Sequence, residues 1–202
     1  PANTAVLTME LQRAIVGPLA LLPALVEEVQ REGTLAAAGR VCAAARDVGA
    51  RVVHCTAEER PDGAGAVANC KIFAMSAKAR AAGTSGLTIG SEGARVVAEL
   101  GDDPRDVTIS RLTGMSPFTS TALDQVLRNL GVTTVVATGV SVNLGVFGMV
   151  MSAVDLGYQV VLVRDAVAGV PHEYARAVID NSLSLLATVV SSDELLAAWD
   201  RR

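Results

Sequence analysis

The stretch Gly139-Val-Ser-Val-Asn-Leu-Gly145-Val146 decides the fold of this chain. It lies between an apolar, β-branched run at 132–138 and an apolar segment that ends near Gly157. A buried strand, a glycine-bounded turn and a helix is the reading that this order supports. The same alternation recurs outward in both directions. Runs at 5–9, 51–56, 106–110, 133–138, 159–163 and 188–190 read as short buried strands. Helical patterns at 23–30, 35–48, 66–82, 119–130, 143–156, 172–186 and 193–199 fall between them. Strands that alternate with helices build a parallel sheet covered on both faces, so the expected fold is α/β: a three-layer αβα, Rossmann-like domain with a six-stranded parallel sheet, spanning 1–202 as one unit.

Local signals agree with this order. Residues 119–121 offer hydroxyls to cap the helix that Gly131 ends, and Ser192 with Asp193 can start the last helix. Residues 58–92 break the rhythm. This segment carries Pro61-Asp-Gly63-Ala-Gly65 and Gly83-Thr-Ser-Gly86, joins the second strand to the third, and is long enough to bring a lid or substrate contacts to the strand ends.

Composition bounds the function. Half of the 202 residues are hydrophobic but only 3% are aromatic, which predicts an aliphatic interior. The net charge of −4 comes without a basic run, so nucleic acid is not an expected partner. Charge or glycine interrupts every long apolar stretch, so no membrane span is expected. With no signal-peptide pattern at Pro1-Ala-Asn-Thr, a cytoplasmic protein is the expectation. Three cysteines, Cys42, Cys55 and Cys70, have neither the pairing nor the CxxC spacing of a disulfide framework or zinc site, and read as free thiols that pack. His54 sits inside an apolar strand, where a hydrogen-bonded structural imidazole is expected.

In a doubly wound sheet, ligands bind beyond the carboxyl ends of the strands where the strand order reverses. Glu10, residues 56–60, Arg111, residues 139–145 and Asp165 occupy such positions. An acid, a cation and a glycine turn would converge there.

The motifs at those positions resemble one family. Val6-Leu-Thr-Met-Glu10-Leu-Gln12 looks like the opening strand of the isochorismatase-like cysteine hydrolases, which ends in Asp-x-Gln. The segment Ile109-Ser-Arg111-Leu-Thr-Gly-Met-Ser-Pro-Phe118 is similar to the family's Lys…Ser-Ala-Phe segment. Gly139-Val-Ser resembles the start of its nucleophile turn, and Asp155-Leu-Gly-Tyr158-Gln-Val and Asp165-Ala continue the match in family order. By this resemblance Glu10, Arg111 and Gly145 stand at the positions of the family's Asp, Lys and Cys. Cysteine members form a thioester with that thiol; glycine supplies no nucleophile. The family also includes isochorismatases proper with glycine at this turn, which cleave a vinyl ether by acid catalysis. Val142 and Asn143 differ from the Ala-His typical of those members, so the resemblance does not point to isochorismate itself.

The resemblance therefore implies a hydrolase of a small anionic or carbonyl-bearing metabolite that works without a cysteine nucleophile. Glu10 would be its acid/base and Arg111 its anion-binding fork, with Gln12, Arg60, Phe118, Val140, Ser141 and Asn143 as substrate contacts. No cofactor is implied, and no metal either, because the Asp and two His of metal-bearing relatives are not matched. A homodimer or larger homo-oligomer is the expected assembly. Other readings stand beside these. Glu10 and Arg111 can form a structural ion pair, Cys55 can be a relocated nucleophile or a packed thiol, and the chain can be an inactive member that binds a metabolite or assists assembly.

Overall fold

The computed structural model describes residues 2–200. Six parallel strands form one sheet: β1 (Thr4–Met9), β2 (Arg51–Ala57), β3 (Val107–Arg111), β4 (Thr134–Val140), β5 (Gln159–Ala168) and β6 (Thr188–Val190). Their spatial order is β3-β2-β1-β4-β5-β6, so the direction of winding reverses between β1 and β4. Among the described residues the α-helices are α1 (Arg13–Val16), α2 (Pro23–Arg31), α3 (Thr34–Asp47), α4 (Lys71–Ala81), α5 (Leu123–Asn129), α6 (Phe147–Asp155), α7 (His172–Asn181) and α8 (Ser192–Asp200). A three-layer αβα architecture results, as the alternating pattern predicts.

The inner strands β1, β2, β4 and β5 are mostly buried because both faces of the sheet are covered there, while the edge strand β3 alternates with exposed Thr108 and Ser110. Ala5, Leu7 and Met9 of β1 face the core built with Leu123, Leu127, Met149, Val150 and Ile179. Val6, between them, faces the opposite core with Leu25, Val29, Val41 and Trp199. The period of two along β1 thus feeds two separate aliphatic cores.

Several boundaries differ from the sequence pattern. β5 runs on to Ala168, and its pairing with β4 shifts register between Ala137 and Gly139. The helix expected over 143–156 starts instead as a π-turn, Val142–Val146, before α6. Helix 172–186 stops at Asn181 and is followed by a short 3₁₀ turn, Leu183–Leu185. Two capping expectations meet different ends. Thr121 Oγ1 does accept from Leu123 N at 3.0 Å, and Gly131 exits α5 with φ 69°. At α8 the cap is Ser191: Glu194 N donates to Ser191 Oγ at 3.2 Å while Ser191 N donates to Glu194 Oε2 at 2.7 Å, a reciprocal capping box. Ser192 is instead turned inward onto Asp165, whose Oδ1 accepts from Ser192 N at 2.7 Å.

One glycine is fixed by close approach. Gly139 has φ 111°, and a β-carbon there would lie 2.1 Å from Met9 O, so at the reversal point β4 and β1 pass nearer than any side chain allows. No helix among the described residues is long and apolar enough to cross a membrane.

Candidate functional site

The reversal point opens into a cavity of about 650 Å³ bounded by the ends of β1, β2, β3 and β4 and roofed by α4. Glu10, Arg111, Ser141 and Gly145 all line it. Four residues nominated from separate parts of the sequence therefore meet, as Rossmann-like topology requires.

Glu10 is the first residue past β1 and has φ 53°, a left-handed conformation that costs a non-glycine residue roughly 1 to 2 kcal/mol. Its N–H donates to Cys55 O at 2.9 Å, which fixes the kink. The bend takes residue 10 out of the strand line and brings it to the cavity. Glu10 Oε1 accepts from Arg111 Nη2 in an ion pair. Among the described residues nothing bonds its Oε2.

Arg111 ends β3, and its side chain is only 4% exposed. Its Nε donates to Gly114 O at 2.9 Å and its Nη1 approaches Thr56 O at 3.5 Å. A buried guanidinium held at these points keeps a fixed charge beside Glu10. Gly145 lies across the cavity in the π-turn, and Met9 occupies the space a side chain there would enter: a β-carbon on Gly145 would lie 2.7 Å from Met9 Cε. The peptide between Val140 and Ser141 is cis.

The other nominated contacts lie outside this cavity. Gln12 is wholly buried and spent on backbone: its Nε2 donates to Ala57 O at 2.9 Å and Ala94 O at 2.8 Å, and its Oε1 accepts from Ala57 N at 2.8 Å. It clamps β1 to the end of β2, and all its side-chain groups are used in doing so. Arg60 is exposed and pairs with Asp62. Phe118 packs on Tyr158 with centroids 5.8 Å apart. Val140 is fully buried in a core. Asn143 Nδ2 reaches Val170 O at 3.4 Å, away from the cavity lining.

The cavity also contains residues the sequence did not single out. Leu21 and Leu22 come from the loop before α2, Phe73 and Met75 from α4, and Leu112 and Met115 from the loop after β3. They make the wall mainly apolar. Glu59, Lys78 and Arg80 add charge, with Arg80 Nη1 donating to Glu59 Oε2 at 2.9 Å. The glycine-rich length of 58–92 marked the segment, but not which of its side chains face inward.

The cysteines and histidines are accounted for elsewhere. Cys55 is fully buried, and burial pushes its thiol up to about 12, far from a thiolate nucleophile near neutral pH. Cys42 is likewise buried and raised to about 12 by burial. Cys70 is exposed, contrary to its expected packing role. His54 Nδ1 lies 2.8 Å from Thr8 Oγ1 and its Nε2 3.2 Å from Asp106 Oδ2, with Arg46 Nη2 donating to the same oxygen at 2.6 Å. This is the structural imidazole the strand pattern predicts; Thr8, 2% exposed, has no access to the cavity. His172 meets Glu28 and Glu32 closely enough to suggest a cation site, but Arg31 and Arg176 already neutralise those carboxylates.

Comparison with known proteins identifies the family and the fold. Residues 4–194 match the isochorismatase domain. The isochorismatase family protein YecD of Escherichia coli O157:H7, itself uncharacterised, is 32% identical over 101 residues, which cover 50% of this chain and 53% of that protein. YwoC of Bacillus subtilis (strain 168), an uncharacterised isochorismatase family protein, is 35% identical over 75 residues, 37% of this chain and 39% of that protein. The match thus spans about half, or less, of these relatives. Among solved structures, an isochorismatase family protein from Burkholderia thailandensis superposes with a TM-score of 0.79 at 25% identity, covering 99% of this chain and 97% of that one. A cysteine hydrolase from Pseudomonas syringae pv. phaseolicola 1448A shares the fold, with a TM-score of 0.82 at 20% identity, covering 100% of this chain and 94% of the other. With the isochorismatase domain matched over residues 4–194 and the fold shared with these structures, the chain belongs to the isochorismatase family.

Proposed function

We propose that this protein is a hydrolase of a small carbonyl-bearing or anionic metabolite and uses no cysteine nucleophile. In this reading Glu10, Arg111 and Gly145 stand where the family's thiol enzymes carry Asp, Lys and Cys. The observation that carries it is the placement of Glu10: a strained, ion-paired carboxylate with an unbonded Oε2, at the wall of a cavity that Gly145 also lines. Strain of this kind persists where function holds it.

The chemistry follows from the groups present. The substrate's electrophilic carbon sits in the cavity that Glu10, Arg111 and Gly145 line. Water adds to that carbon as Glu10 Oε2 takes its proton, so the C–O bond forms without a covalent enzyme intermediate. Negative charge developing on the substrate oxygen faces the Arg111 guanidinium, which is already fixed and needs little reorganisation. The proton on Glu10 then passes to the leaving group as its bond to carbon breaks. The apolar wall excludes bulk water and strengthens both electrostatic effects.

A second reading has one observation in its favour. Arg111 is held by Glu10, Gly114 O and Thr56 O, which suits a structural cation in a family member that binds a metabolite without turning it over. The two separate on Glu10→Gln. A metabolite screen by thermal shift identifies a ligand, and turnover is then followed by product formation. Abolished turnover with retained binding in Glu10→Gln, and unchanged turnover in Cys55→Ala, supports the hydrolase. Loss of activity in Cys55→Ala with survival in Glu10→Gln sinks the mechanism, and binding with no turnover of any ligand by the unaltered protein favours the second reading.

The assembly proposed is a homodimer or larger homo-oligomer. Leu21, Leu22, Val67 and Met75 leave apolar surface at the cavity mouth, 52%, 42%, 44% and 51% exposed, which a second copy would cover. Light scattering that returns the monomer mass of 20.8 kDa at all concentrations would contradict it.

A further inference from the structure

The cavity is apolar inside its rim as well as on it. Ala14 and Ile15 of α1, Leu25 of α2, Phe73 of α4, Leu87 and Met115 all line it. Ala14 and Leu25 are buried and the other four are half-buried, so these side chains lie within the mouth. Leu25 packs in one core with Val16, Val29 and Val41, which hold that part of the wall firm, whereas Phe73 belongs to neither core. The more exposed Leu21, Leu22, Val67 and Met75 form the rim, the surface that a second copy would cover.

The charges of this cavity cancel. Glu10, Glu58 and Glu59 supply three carboxylates, and Lys78, Arg80 and Arg111 supply three cations. Most are already engaged: Glu10 with Arg111, Glu59 with Arg80, and Glu58 Oε2 with the Ser110 hydroxyl, which donates to it at 2.7 Å. All three nitrogens of Arg111 have partners, so a ligand carboxylate there would share the guanidinium with Glu10 and face a like charge. A ligand ammonium gains no net attraction either, since the remaining carboxylate, Glu58, is balanced by Lys78 over the cavity as a whole.

Hydrocarbon buried against an aliphatic wall gains free energy in proportion to its area, while a charged group moved there loses hydration that the wall does not replace. At about 650 Å³ the cavity has the size of a site for a whole small molecule, well beyond a carbonyl group and its immediate neighbours. Resting on the hydrolase reading above, we propose that the substrate is an uncharged carbonyl compound with a hydrocarbon body. Its carbonyl lies at Glu10 and Arg111, and its body lies against Ile15, Leu25, Phe73 and Met115. This narrows the substrate from anionic or carbonyl-bearing to neutral, and makes Phe73 a specificity-determining residue.

Calorimetric titration with butanamide, hexanamide and octanamide reads the hydrocarbon gain, the shortest being measured by displacing the longest. Each two carbons added should tighten binding roughly tenfold. Octanoate and octylammonium should each bind at least about tenfold more weakly than octanamide. Phe73→Ser should weaken octanamide roughly fivefold and butanamide less than about twofold, while unfolding at a similar temperature. Leu185→Ser removes an exposed leucine outside the cavity and should change neither affinity. Flat binding across the series, an ion that binds as tightly as octanamide, no binding by any probe, a loss in Leu185→Ser, or a Phe73→Ser loss that is absent or equal for the short and long amides each overturns the assignment. Length-dependent binding with no turnover of any bound compound keeps the ligand class and removes the hydrolase reading; turnover of a charged metabolite with flat amide binding does the reverse.

Discussion

Met9 and Gly145 share one space: the methionine Cε sits 2.7 Å from where a β-carbon on residue 145 would be. Met9 is fully buried, so its methyl group moves only by displacing its neighbours. Gly145→Cys should therefore destabilise the fold by about 1 to 3 kcal/mol through overpacking. Pairing it with Met9→Val should recover most of that loss, a coupling that a double-mutant cycle in chemical denaturation measures directly. Additive losses would mean that the two sites do not compete.

Glu10 and Arg111 form a second coupled pair. Removing the acid alone, as in Glu10→Leu, leaves a nearly buried guanidinium without its counter-charge and should cost on the order of 3 kcal/mol. Glu10→Leu with Arg111→Leu should cost clearly less than the sum of the two single changes. Unfolding midpoints of the four proteins decide it.

His54 gives a pH dependence. Burial holds its pKa below the usual 6.5, against the opposing pull of Asp106. The unfolded chain then binds a proton near that pH which the folded chain refuses, so stability falls as pH drops below about 6.5, by at most about 1.4 kcal/mol per unit. The loss levels off only below the folded-state value. His54→Gln should flatten the slope between pH 7 and pH 5; an identical slope in both proteins would place the dependence on other groups.

The thiols should separate by access. Cys70 is exposed while Cys42 and Cys55 are buried, so a thiol reagent should label one site in the native protein and all three after denaturation. Rapid native labelling of Cys55 would contradict its closed position.

The architecture was readable in the sequence because its signals are local. Runs such as 133–138 repeat the apolar signature of a strand buried on both faces, and Gly131 marks a helix end by the conformation that only glycine adopts cheaply. Glu10, Arg111, Ser141 and Gly145 could be placed together because winding order fixes where strand ends meet. Gln12 and Phe118 show where this stops. An amide beside a strand end can turn toward a ligand or toward a neighbouring carbonyl, and only the three-dimensional position of Ala57 and Ala94 settles which. Ser191 and Ser192 are adjacent serines, and only the position of Asp165 separates cap from core contact. Residues 56–60 were marked as a strand end, but the orientation of Glu59 within them depends on pairing with residues 87–89, almost thirty positions away.

Helix α4 has no fully buried residue, although it roofs the cavity. Its side chains contribute little to the two cores, so substitutions there should change what the cavity admits while leaving the fold nearly as stable as before. The groups at the strand ends have no such latitude, because each is tied into the sheet. Mutational drift can therefore retune the choice of substrate along one helix without touching the reacting groups beneath it.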